Sequence, residues 1–107
     1  MGVDYDVAVF FREPRSGRDL PHPDAWFFLG RDYELFRETL SIDGMTRLDV
    51  EAVQPSPGKG EPDDARRCCA ADLRSVLDYG ECLQNKAFGE YVAALPDEAV
   101  ILFLKYN

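Results

Sequence analysis

Residues 3–12 alternate with a period of two: Val3, Tyr5, Val7, Val9 and Phe11 fall on one side, and Asp4, Asp6, Ala8, Phe10 and Arg12 on the other. That period, with its β-branched and aromatic content, predicts a strand. Residues 13–24 contain Pro14, Gly17, Pro21 and Pro23 and are expected to form a loop, because proline and glycine cannot sustain a ladder. The apolar run 25–29, closed by Gly30, predicts a second strand. Asp32 is placed to cap a helix over 33–40, with Tyr33, Phe36 and Leu40 on one face and Glu34 and Glu38 on the other.

After the turn signal Asp43-Gly44, residues 46–53 alternate again and predict a third strand, with Leu48, Val50 and Ala52 opposite Arg47, Asp49 and Glu51. Residues 54–64 hold Pro55, Pro57, Gly58, Gly60 and Pro62 and read as an exposed, mobile loop. Asp63 or Asp64 is then expected to cap a helix over 65–79, with Cys69, Leu73, Val76 and Leu77 at helical spacing and Gly80 as its stop. Asn85 is expected to cap a further helix, whose Phe88, Tyr91, Val92 and Leu95 share a face before Pro96 breaks it. The continuous apolar run 99–106 predicts a central strand buried on both faces. The order β-β-α-β-α-α-β predicts an α+β fold: a mostly antiparallel sheet of about four strands with about three helices packed on one side. A chain of 107 residues fits one compact domain over 1–107.

Composition narrows the classes. Hydrophobic residues make up 46% and aromatics 12%, which is enough to drive collapse and excludes a disordered chain. No apolar run approaches the roughly 20 residues of a membrane span. The opening Met1-Gly2-Val3-Asp4 is acidic where a secretory signal is basic, and Asp6 stands where a myristoylation start has Ser or Thr. Three cysteines, with Cys68 and Cys69 adjacent, point to a reducing cytoplasm, because a disulfide between neighbours is strained.

Charge is the feature that changes the picture. Residues 32–64 carry nine carboxylates (Asp32, Glu34, Glu38, Asp43, Asp49, Glu51, Glu61, Asp63 and Asp64) against Arg37, Arg47 and Lys59, and so hold most of the net charge of −8. Nucleic acid and anionic lipid would be repelled, whereas a cationic partner would be attracted. Glu34 and Glu38 at i and i+4 on a helix, and Asp49 and Glu51 at i and i+2 on a strand, place like charges in register at a cost to the fold. A cationic surface would recover that cost. The alternative is an acidic face serving solubility alone.

Candidate chemistry is thin. His22 lies between Pro21 and Pro23 with Ser16 and Asp24 nearby, but no spacing fixes a triad, and a rigid surface turn is the simpler reading. Cys68 and Cys69 lack the paired spacings of a zinc site and read as packed thiols. Gly58-Lys59-Gly60 is followed by Glu61-Pro62-Asp63-Asp64, which would repel a phosphate, so Lys59 reads as a linker lysine. Arg12, Arg15 and Arg18 are interrupted by Glu13 and Asp19 and read as a solvated loop edge. No cofactor and no metal are expected.

The segment Gly30-Arg31-Asp32-Tyr33-Glu34-Leu35-Phe36 resembles the Gly-Arg-Asn-Tyr-Asp-Leu-Phe segment of small uncharacterised proteins of phages and prophage-carrying bacteria, with Asp32 in place of the usual Asn. The resemblance covers seven residues. It implies an origin in a mobile element and carries over no site. In size and charge the chain is also similar to the acidic anti-CRISPR and DNA-mimic inhibitors, a likeness of class.

The leading expectation is therefore a non-enzymatic, phage-encoded acidic inhibitor of the host cytoplasm, anti-CRISPR-like. It would bind the basic, nucleic-acid-binding surface of a host protein through Tyr33, Glu34, Glu38, Asp43, Asp49, Glu51, Glu61, Asp63 and Asp64. The alternatives are an immunity protein that neutralises a basic nuclease toxin, a small enzyme or metal protein using His22 and the cysteines, and a phage structural or assembly protein.

Overall fold

The computed structural model describes residues 4–12, 22–30, 45–74 and 83–107. The helix expected over 33–40 lies outside them, as do Tyr33, Glu34, Glu38, Asp43, Arg15, Arg18 and the segment 75–80.

Five strands form one sheet: β1 (Asp4–Phe10), β2 (Ala25–Gly30), β3 (Thr46–Arg47), β4 (Asp64–Cys69) and β5 (Val100–Tyr106), in the spatial order β2-β1-β5-β4-β3. Every pairing between them is antiparallel. Two α-helices accompany them among the described residues, α1 (Ala70–Arg74) and α2 (Leu83–Ala93). The fold is α+β, as the alternation of patterns predicts, with one strand more than expected.

β5 is the middle strand, and five of its residues, Val100 to Leu104, are buried. A strand paired on both edges and covered on both faces has no position that water reaches, hence its continuous apolar run. Its neighbours alternate. Val7 and Val9 of β1 stand opposite Phe103 and Ile101 and pack with Cys68, Ala70, Leu73, Phe88 and Val92 on the helix-covered face. Ala8 and Phe10 stand opposite Leu102 and Val100 and pack with Ala65, Leu104 and Val53 on the second face.

α2 meets the sheet through aromatic edges: the Phe27 ring lies 5.2 Å from Phe88 and 4.9 Å from Tyr91, both tilted edge-on. That is the geometry ring quadrupoles favour. The helix begins at Leu83, two residues ahead of Asn85, so Asn85 sits inside it and not at its cap. Residues 65–69, expected to begin a helix, form β4 instead. The buried Ala65 and Cys68 are three apart, a helical spacing, yet they lie on opposite faces of the sheet. Pairing of all six residues of β4 with β5 outweighs the helix propensity of Ala and Arg, which is worth only tenths of a kcal/mol per residue.

Asp63 and Asp64 accordingly cap no helix. The Asp63 amide donates to the Lys105 carbonyl at 2.8 Å, and Asp64 opens β4. The strand expected over 46–53 also stops early, at Arg47. The Asp49 carboxylate accepts the Glu51 amide at 3.0 Å and starts a 3-10 turn, Val50–Ala52, which folds Leu48, Val50 and Val53 down onto the second face.

Residues 54–60 continue across that face as a strap. Ser56 and Pro62 are buried while the residues between them are exposed. The Tyr106 hydroxyl accepts the Ser56 amide and donates to the Gly60 carbonyl, both at 3.0 Å. Gly58, at φ 77°, turns the chain so that Lys59 reaches back to Asp6 at 2.8 Å. Asp6 is 2% exposed, and the Lys59 ammonium also lies 4.7 Å from the centre of the Tyr106 ring. Lys59 is thus an anchor, not the solvated linker lysine its glycine neighbours suggest.

Candidate functional site

Antiparallel pairing sends the start of β1, the end of β5, the start of β4 and the end of β3 to the same end of the sheet. Asp4 stands opposite Tyr106 and Asp64 opposite Lys105. Thr46 and Arg47 stand opposite Arg67 and Arg66, and the Leu48 amide reaches the Ala65 carbonyl at 2.8 Å. Asp4, Asp49, Glu51, Glu61 and Asp63 all belong to this end, and all five are exposed. None forms an ion pair among the described residues. The Asp49 carboxylate accepts the Glu51 amide, and that of Asp63 accepts the Asn107 amide at 2.7 Å. Both bonds fix the direction of a carboxylate without neutralising it.

Asp64 differs from these. Arg66 Nε donates to its Oδ2 at 2.8 Å, and Arg47 Nε lies 3.1 Å from Oδ1, close enough for charge attraction but out of line for a hydrogen bond. Its side chain is 13% exposed. Two guanidinium groups neutralise it, and it adds little to the field seen by a partner. Asp49 and Glu51 remain neighbours as expected, but on a turn and not on a strand face. Asp4 is the residue the sequence pattern passes over. It lies far from the acidic stretch in sequence, and only the pairing of β1 with β5 brings it to the same end of the sheet as Asp63, across β5.

The other candidate chemistry resolves into contacts of the fold. Nδ1 of the exposed His22 lies 2.9 Å from the Gln54 side-chain nitrogen, a hydrogen bond that ties the approach to β2 to the strap. The Cys68 thiol is buried, and its pKa is pushed up to about 12 by burial first, then by Cys69 and Asp72, against the smaller pull of Arg67. It is inert as a nucleophile, since the thiolate is the reactive form. The Cys69 thiol donates to Asp72 at 3.1 Å. Among the described residues no group of three or more His, Cys, Asp or Glu side chains could hold a metal ion, and no helix is long and apolar enough to cross a membrane.

No family model matches the chain. Among curated proteins the chain is similar to the chorismate synthase of Aquifex aeolicus (strain VF5), 27% identical over 88 residues, which are 81% of this chain and 22% of that protein. It is also similar to the chorismate synthase of Moorella thermoacetica (strain ATCC 39073 / JCM 9320), 28% identical over 102 residues, 95% of this chain and 26% of that protein. The chain spans about a quarter of the length of these relatives. No solved structure matches it significantly.

Proposed function

We propose that the protein is a non-enzymatic, acidic binding protein, an inhibitor of phage origin acting in the host cytoplasm, which docks the end of its sheet onto a basic, nucleic-acid-binding surface of a host protein. The observation that carries this reading is the set of five exposed carboxylates, Asp4, Asp49, Glu51, Glu61 and Asp63, without ion pairs among the described residues, at one end of a sheet. Exposed charges of one sign raise the rate of encounter with an oppositely charged surface and orient it, while short-range contacts supply most of the affinity. The same charges make direct binding to nucleic acid unfavourable.

The test is capture of a basic partner from a bacterial lysate, followed by its affinity at low and high salt for the native chain and for the variant Asp4→Asn, Asp49→Asn, Glu51→Gln, Glu61→Gln, Asp63→Asn. Affinity should fall about tenfold or more between 50 and 300 mM salt for the native chain and change much less for the variant. Equal affinity at both salt concentrations would refute the reading.

A second reading rests on the two alignments: the chain is a diverged counterpart of about a quarter of chorismate synthase and takes part in forming chorismate. Formation of chorismate by the purified chain would favour it over the first.

A further inference from the structure

Beside the edge strand β3 an open groove of about 760 Å³ runs between β3, β4, the start of α1 and the turn before β5. Leu48, Ala71 and Val100 give it an apolar floor, and Asp72, Asp97 and Glu98 line it against one cation, Arg67. Backbone bonds fix its shape: the amides of Ala70 and Ala71 donate to the carbonyls of Ala99 and Asp97 at 2.8 and 3.2 Å, which binds α1 to the turn. Arg74 donates to the Leu95 carbonyl at 2.8 Å and pairs with Asp97. One carboxylate of this corner is therefore already engaged by a guanidinium, whereas the exposed Glu98 has no ion pair among the described residues.

Resting on the reading of the protein as a binder of basic surfaces, we propose that this groove seats an arginine-bearing segment of the partner. A volume of this order takes a few residues, not a single side chain. The occupant must carry apolar length for the half-buried Leu48 and Ala71 and a positive head for Glu98. Arginine meets both demands: its stem lies along apolar surface, and its planar, weakly hydrated guanidinium pairs with a carboxylate through two parallel hydrogen bonds. Lysine, more strongly hydrated and unable to form the fork, is less suited to a half-apolar cleft.

Titration of the isotope-labelled chain with acetyl-Leu-Arg-Gly-amide, and with the same peptide carrying citrulline, tests this by amide chemical shifts. The arginine peptide should move Leu48, Glu98 and Val100, and the citrulline peptide should not. Glu98→Gln should weaken binding about fivefold, the scale of one exposed ion pair. Ala71→Trp, whose side chain would fill the floor, should abolish it in a chain that keeps its native spectrum. Equal responses to both peptides, or shifts confined to Asp4, Asp49, Glu51, Glu61 and Asp63, would overturn the groove while leaving the acidic end as a binding surface. Shifts at the groove combined with salt-independent capture of the partner would have the opposite meaning.

Discussion

Asp6 and Lys59 show how one residue's role depends on its surroundings. A carboxylate 2% exposed within a sheet is tolerable only when paired, and its partner comes from a glycine-flanked position 53 residues away. Lys59→Met should therefore cost about 2 kcal/mol by chemical denaturation, below the 3–5 typical of fully buried pairs because the Lys59 side chain is 34% exposed. The double variant Asp6→Asn, Lys59→Met should recover part of that loss, since it leaves no uncompensated charge. Cys68 gives a pH dependence. Its thiol ionises near the ordinary 9.0 when unfolded and near about 12 when folded, so folding favours the protonated form. This contribution is complete below pH 9 and is lost as pH rises toward 12, by up to about 1.4 kcal/mol per pH unit. Cys68→Ala should flatten the fall in stability over that window. An unchanged slope would mean that the thiol is not shielded as the fold implies.

At the scale of elements, attachment of the strap and of α2 can be tested separately. Tyr106→Phe removes one acceptor and one donor from the strap and should cost about 1–2 kcal/mol, with faster hydrogen exchange at the Ser56 amide, while the helix-covered face is unaffected. Phe88 is fully buried and edge-on to Phe27, so Phe88→Ala should cost about 3–5 kcal/mol and loosen α2 from β2. The elements also show where pattern reading succeeds. β1, β2, β5 and the apolar face of α2 were legible because their apolar runs and spacings fit one type of element, with nothing in competition. β4 was not legible. Its buried residues Ala65 and Cys68 fit a helix as well as a strand, and the deciding factor, six pairings with a strand more than 30 residues away, is non-local.

For the molecule as a whole, the salt dependence of partner binding is the expectation that matters most, and it belongs to the arrangement, not to any single acid. The sequence alone determined the composition of the core, the α+β class, the central place of β5 and the excess of carboxylates in residues 32–64, because burial and net charge follow from residue type and local period. Only the tertiary structure decided which acids act together. Antiparallel registers put Asp4 and Asp63 on either side of the end of β5, two arginines neutralised Asp64, and a turn replaced the strand under Asp49 and Glu51. A linear pattern carries no record of these outcomes, since a charge pair or a shared sheet end is a distance in space between residues that the chain holds far apart.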